Sequence, residues 1–557
     1  MPVRRTVLSV VLAATLLSGG VFAAGGRGSI TSGELKEWLS YLASDELGGR
    51  AIYSEGLGLA AGYIQNHLLE WRLTPRGDDR GYLQTVKVQG VKTTSHSSVT
   101  VQVGQESRTF MDGDGVTFPK NVGVKRTVSV DHVEFAGYGL DAPGAHYSDL
   151  AGRDFRNAAV IFIGAAGPKA LDGDTGRLLL GRRGRWLTEQ LNAAAAIGQA
   201  RAQGTPPRPA PPNQGDGPAR APHPDFTTTQ RLDRPIAPSV TADDAMLQFL
   251  FSRAPSKYDE LKKEAEAREP LAGFRLDKVK LTFNVDTDYE IVRTQLTQNV
   301  VAVVEGSDPQ LKSSYVAVGA HYDHVGYSDS ELTSDSKRPA APGRVTPGAE
   351  SDRVWNGADD DGSGTVALMA IAQAFAEGPR PKRSVLLVWH AGEESGMLGS
   401  RYFVDHPTVA LDQVVAQLNI DMIGRNRDDK ASEANTLYLV GSDRISSELH
   451  EVNRAANRSF DQPLTLDYEL NDPADPEQIY FRSDHYSYAA KGIPIIFFTT
   501  ALHPDYHANT DEVSKILFPK MTRVVQLVYE TARRLANLDH PPARDFLGPR
   551  AGKGTRE

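Results

Sequence analysis

The second half of the chain alternates between apolar runs of strand length and polar or glycine-rich breaks. The runs fall at residues 299–304, 315–320, 384–390, 414–420 and 493–499. Between the second and third, Val366, Met369, Ala370 and Phe375 recur at helical spacing over residues 364–376, and residues 521–535 repeat that spacing near the end. Strands that are apolar on both faces and alternate with helices predict an α/β fold: a mixed, largely parallel twisted sheet with helices on both faces.

The first half reads differently. Residues 31–71 are helical in pattern, with Leu35, Leu39 and Leu42 and then Leu57, Ala60, Ala61, Ile64 and Leu68 on repeating faces. Residues 86–88, 98–103, 128–135, 158–163 and 276–285 read as short strands, and 257–268 as a charged surface helix. Residues 204–224 are dense in Pro, Gly and Ala and lack periodicity, the signature of a mobile loop. A second long polar connection, 328–353, lies between two of the strings described below. Connections of that length are usually functional or disordered.

Composition narrows the function. At 557 residues the chain is long enough for two to four domains. A net charge of −9 and the lack of a basic stripe argue against nucleic acid or an anionic membrane as partner. Arg4 and Arg5 precede an apolar stretch at 7–17 and a small-x-small sequence, Val21-Phe22-Ala23. This predicts a cleaved signal peptide over 1–24, hence export to a periplasmic or extracellular location with no membrane insertion afterwards. The apolar stretch is short for a span of about 20 residues. The chain has no cysteine, which excludes disulfides, a catalytic thiol and thiolate zinc sites. Any zinc must be held by His, Asp and Glu, the ligand set of catalytic more than structural sites.

The breaks after the apolar runs carry that ligand set. They are Gly-Ala-His-Tyr-Asp at 319–323, Gly-Ala-Asp-Asp-Asp-Gly-Ser-Gly at 357–364, Gly-Glu-Glu-Ser-Gly at 392–396, Asn-Ile-Asp at 419–421 and Tyr-His at 506–507. Together they offer His321, Asp360, Glu394, Asp421 and His507, two imidazoles and three carboxylates, with Glu393 free beside them as a base. Two zinc ions about 3.5–4 Å apart need a bridging carboxylate, and a water shared between them becomes available as hydroxide near neutral pH. A carboxylate off the metal must then carry the proton. His324 competes with His321, and His503 with His507; the position after Gly-Ala and the position after Tyr favour His321 and His507. His390 reads as a core or supporting imidazole. The acidic run at 359–361 alone would be a solvated turn, and it fails as an EF-hand because Gly357 and Leu368 fall on ligand positions.

These strings resemble the secreted dizinc aminopeptidases of the MH clan, the co-catalytic zinc exopeptidases, over about 298–535 and weakly at 42–50. The resemblance implies roles. His321, Asp360, Glu394, Asp421 and His507 would ligate two zinc ions, with Asp360 bridging and often joined to Asp361 by a cis peptide. Asp323 would orient His321, Asp361 would support the ligands, Glu393 would be the general base, and Tyr506 would hydrogen-bond the developing oxyanion. Asn299 and Arg482-Ser483-Asp484-His485 match family strings as supporting positions. The resemblance also implies a mainly β, protease-associated-like domain at 125–290, containing the Pro-rich loop. This domain would be inserted into a catalytic domain of 25–124 and 291–540, with a flexible tail at 541–557. The expected activity is removal of N-terminal residues from peptide substrates by a dizinc-bridging hydroxide. Two alternatives are a carboxypeptidase or dipeptidase of the same clan, for which Arg425 and Arg482 are candidate carboxylate readers, and a metal-less receptor-like scaffold.

Overall fold

A computed structural model describes residues 25–142, 147–171, 174–200, 226–337, 340–472, 475 and 477–548. The signal peptide expected at 1–24, the Pro-rich stretch at 204–224 and residues 549–557 of the expected tail lie outside the described residues.

The apolar runs of the second half lie side by side in one sheet. Its main strands are β1 (Leu83–Ser95), β2 (Thr287–Val304), β3 (Tyr315–His321), β4 (Ser384–His390), β5 (Val414–Ile420), β6 (Thr436–Val440), β7 (Thr465–Asp467) and β8 (Ile495–Thr499). Their order is β1-β2-β4-β3-β5-β8-β6-β7, with Thr227–Thr229 added outside β1 and Thr74–Pro75 paired to β2. The central four strands, β4, β3, β5 and β8, are parallel. β1–β2, β2–β4 and β6–β8 are antiparallel, which makes the sheet mixed.

Burial on both faces explains why the central strands lack alternation. Val316, Val318 and Ala320 of β3 pack into one core while Ala317 packs into the other; Val385, Leu387 and Trp389 of β4 oppose Leu386 and Val388 in the same way. The first core is roofed by α1 (Ser32–Leu42), α2 (Glu55–Glu70), α3 (Gly364–Glu377), α5 (Ser447–Arg458) and α6 (Phe518–Ala536). The second is roofed by α4 (Leu398–Asp405) and the segment 479–489. Side-chain caps set where the first two helices start: Thr31 accepts from the Glu34 N–H and Ser54 from the Leu57 N–H.

A second ten-stranded sheet is built from chain between β1 and β2. It begins with the hairpin Ser98–Val103 and Glu106–Asp112, and its last strand, Val279–Val285, pairs antiparallel with Ser98–Val103. The second sheet therefore takes chain from residue 98 on, upstream of the boundary expected at 124/125. That pairing brings together residues far apart in sequence, from Val279 with Val103 to Asn284 with Ser98, which local patterning does not reveal. The run at 128–135 is two strands, Arg126–Val130 and Val133–Phe135. Among the described residues, no helix is long and apolar enough to cross a membrane.

Candidate metal centre

Parallel strands end on the same side of a sheet, so residues that follow them share one crevice. His321 is the last residue of β3, Asp421 follows β5 directly, Glu393 and Glu394 lie just past β4, and His507 lies in the loop after β8. Asp360 comes from the turn that opens α3. The structure brings all five predicted ligands together. His321 Nε2 lies 3.4 Å from Asp360 Oδ1 and 3.7 Å from Asp421 Oδ2. His507 Nε2 lies 3.2 Å from Asp360 Oδ2 and 2.9 Å from Glu394 Oε2. Asp360 thus presents one oxygen to each of two imidazole–carboxylate groups.

The donor set suits two zinc ions. Ligand atoms about 2.0–2.1 Å from a tetrahedral zinc stand about 3.3 Å apart, close to the separations above. Asp360 Oδ2 and Glu394 Oε1 are buried and make no hydrogen bond, although imidazole nitrogens of His507 and His324 lie 3.2 and 2.9 Å from them. Two further residues enter convergent donor groupings, His321/Asp361/Asp421 and His324/Asp360/Glu394, each with atoms within 4.8 Å of one another. Asp361 is already committed, because its carboxylate accepts the N–H groups of His321 (3.2 Å), Gly364 (2.9 Å) and Met422 (3.1 Å). It ties β3, α3 and the end of β5 together. His324 Nδ1 lies 2.9 Å from Glu394 Oε1, but its ring is fully buried, whereas His507 is 31% exposed and lines the cleft. His503 is directed elsewhere, with Nε2 3.3 Å from Asp359 Oδ2.

Local sequence explains how the turn at 357–364 reaches the centre. Gly357 has φ 56, and a Cβ there would meet Asp360 O at 2.3 Å and His324 Cγ at 2.5 Å; a Cβ on Gly364 would meet Asp361 Oδ1 at 2.4 Å. The Asp360–Asp361 peptide is cis. Asp323 does two jobs. Its main-chain oxygen lies 3.1 Å from His321 Nδ1, which leaves Nε2 for the centre, and its Oδ1 accepts the Glu393 N–H at 3.1 Å. Asn299 braces the same loop, accepting the Ala391 N–H and donating to Gly399 O and Gln84 Oε1.

The two adjacent glutamates have opposite electrostatics. Burial and Asp360 push Glu394 up, but His507 and His324 outweigh them and hold it at about 2. Burial raises Glu393 well above the usual carboxyl range; His321 opposes this, and Glu394 and Asp484 add to it. Burial disfavours charge on His321, yet Asp421, Asp323 and Asp360 raise its pKa well above that of a free imidazole. Glu393, Asp360, Asp421, Tyr506 and His507 line one open cleft. The Tyr506 ring stacks on His507 at 4.0 Å, and its hydroxyl accepts from Arg482 Nη2 at 3.0 Å.

Further residues support the centre, and of these Arg50, Asp511 and Arg344 have no role assigned from sequence. Arg50, 1% exposed, donates to the carbonyls of Leu42, Tyr322, Asn356 and Gly357, pinning two ligand-bearing strings to each other. Asp511 accepts the N–H groups of Asp359 and Asp360. Ser483 donates to Asp421 Oδ2 at 2.7 Å and is itself held by Asn419. The long connection 328–353 straps the His507 loop: the Arg344 N–H donates to His507 O at 2.7 Å, and its guanidinium donates to Pro504 O and Tyr506 O. His390 is buried, its Nε2 3.0 Å from the Tyr488 hydroxyl, and burial and His321 depress it to about 3.

Sequence comparisons fit this geometry. A "Probable leucine aminopeptidase" of Arthroderma otae is 27% identical over 247 residues, 43% of this chain and 57% of that one. A "probable leucine aminopeptidase 2" of Aspergillus oryzae is 30% identical over 200 residues, 36% of this chain and 32% of that one. The matched stretch thus spans little more than half of the first relative and about a third of the second. Among solved structures, an aminopeptidase from Aneurinibacillus sp. strain AM-1 is similar at 17% identity, covering 95% of this chain and 98% of that one with a TM-score of 0.42, too loose a likeness to carry weight. Residues 299–532 match the model of peptidase family M28, a stretch that holds the parallel strands and all five predicted ligands. The similarity to peptidase family M28 is confined to that region.

Proposed function

We propose that this protein is a zinc-dependent aminopeptidase that removes N-terminal residues from peptides. The observation that carries the reading is the position of Asp360, one oxygen on each of two imidazole–carboxylate groups, in the cleft that Glu393 also lines. His321 and Asp421 would hold one zinc ion, Glu394 and His507 the other, and Asp360 both. When bound, the two ions supply an acidified water and a Lewis acid for the scissile carbonyl. Glu393 takes a proton from the attacking water and delivers it to the leaving amine, a role suited to a carboxyl whose proton affinity burial has raised. Tyr506, lining the cleft and held by Arg482, donates its hydroxyl proton to the carbonyl oxygen as charge builds there.

The carboxypeptidase reading has less support. Arg425 is committed to Asp429 at 2.8 Å and Asp505 at 3.0 Å, and Arg482 to Glu477 at 2.7 Å and to Tyr506. The convergence of five donors and a base argues against a metal-less scaffold. Export remains part of the proposal and rests on the pattern at 1–24; cell fractionation with and without those residues tests it. The activity is tested with aminoacyl anilides and N-blocked dipeptides, assayed before and after chelation. Chelator-sensitive cleavage of the anilides supports the reading. Cleavage of the blocked dipeptides alone overturns it in favour of a carboxypeptidase.

A further inference from the structure

A second, partly open pocket, with about 440 Å³ of empty space that includes open solvent, lies in the seam between the two sheet-built bodies. Leu140, Leu179 and Trp186 of the second body face Tyr480 and Phe481 of the first, so its walls are mostly apolar and aromatic. The Trp186 and Phe481 rings meet edge to face at 5.7 Å.

The charges of this cavity do not balance. Three guanidiniums line it, Arg182, Arg183 and Arg444, against two carboxylates, Asp141 and Asp472. Arg183 is spent on the carbonyls of Tyr138, Ile163 and Gly164, and Arg444 on Asn471. Arg182 has no carboxylate partner among the described residues. Its guanidinium makes one 3.3 Å bond to Gln478 O and lies 4.9 Å from the centre of the Phe481 ring. Burial, with the neighbouring Arg185 and Arg482, pulls it down to about 10 against the opposing effect of Tyr486 and Asp475. The indole N–H of Trp186 is a second buried donor without a partner. A surplus positive charge, a free N–H and aromatic walls suit a ligand with one carboxylate on an apolar body.

The cavity shares a wall with the metal cleft. Ile479 and Arg482 line the cleft, while Gln478, Tyr480 and Phe481 line the cavity, and the wall between is the single turn Ile479–Phe481. Each residue of an extended peptide adds about 3.3–3.6 Å, so the peptide length that is favoured reports the distance from cleft to cavity. We propose that the seam cavity is a subsite for the carboxyl-terminal residue of a short peptide substrate, with Arg182 and Trp186 Nε1 reading its free carboxylate. The proposal rests on the aminopeptidase reading above and adds that the enzyme favours short peptides with a free C-terminus.

The test is a ladder of peptides two to five residues long, each as free acid and as C-terminal amide, with an aminoacyl anilide as reference. At one length the wild type should favour the acid by roughly 10- to 100-fold in kcat/KM, the range of a charge-assisted contact. That ratio should fall to about one in Arg182→Met and drop severalfold in Trp186→Phe, which keeps the ring. Anilide turnover, which does not use the cavity, should stay unchanged in both. An acid-to-amide ratio near one at every length in the wild type, or a ratio unchanged in the variants, overturns the subsite while anilide cleavage stands. If Arg182→Met also loses anilide turnover, Trp186→Phe and the wild-type ratio decide. No anilide turnover by the wild type sinks the aminopeptidase reading, and the subsite with it.

Discussion

Replacing Arg50 by Met should damage the metal centre without touching a ligand. Arg50 is buried, and its guanidinium serves four carbonyls, at Leu42, Tyr322, Asn356 and Gly357. The last three flank His321–Asp323 and the turn of Asp360. The same cation lies in the field of Asp323, Asp361, Asp511 and Asp360. Charge-assisted hydrogen bonds contribute about 1.5–3 kcal/mol each, though not additively when one group makes several. Removing one partner of a buried charged network costs about 3–5 kcal/mol, because the remaining groups stay unpaired. For a cooperative unit of roughly 300 residues this is a fall in Tm of about 5–8 °C. Arg50→Lys keeps the charge but loses the planar fork, so it should recover part of that loss. Thermal unfolding followed by circular dichroism, with and without zinc, reads the effect, and kcat/KM on an anilide reads the misplacement of the two strings. A Tm within about 1 °C of wild type in Arg50→Met, with full activity, would refute the reasoning.

Glu393→Ala should lower kcat by about 10²–10⁴ while bound zinc stays at the wild-type level, as elemental analysis would report; loss of zinc instead would make Glu393 a ligand rather than a base. Arg344→Ala removes the guanidinium bonds to Pro504 O and Tyr506 O but keeps the main-chain bond to His507 O, so zinc should be lost faster to chelator from one of two sites; unchanged release kinetics would show the strap to be passive. Lys520 is buried, donates to Arg425 O, Asn426 Oδ1 and Glu433 O, and is lowered by burial to about 8. Between about pH 8 and pH 10.4 the unfolded chain keeps the lysine proton while the folded protein has lost it, so wild-type stability should rise with pH there. The same rise in Lys520→Met would assign it to other groups.

Much of the centre was legible because each ligand string ends an apolar strand. Once those strands are parallel, His321, Glu394, Asp421 and His507 have only one crevice to share. The choice of His507 over His503 also follows the string, since His503 turns to Asp359. What remained hidden depends on contacts distant in sequence. Arg50 reaches Gly357 across 307 positions and Asp511 reaches the Asp360 N–H across 151, and neither carries a periodicity that betrays its partner. β1 and β2 read as short from sequence because only 86–88 and 299–304 carry an apolar run. Their outer stretches pair with each other as a solvent-facing ribbon on which Leu296 is 59% exposed. The hairpin at 98–112 shows its place in the second sheet only by pairing with 279–285. His324 was set aside by position alone, and it lies against Glu394, inside the centre's supporting shell.

The central claim is that Asp360 joins two metal sites, and anomalous diffraction at the zinc edge from zinc-loaded crystals tests it most directly. The account predicts two peaks, one against His321, Asp360 and Asp421 and the other against Asp360, Glu394 and His507. A single peak, or a second peak held by His324 with His507 turned away, would contradict it.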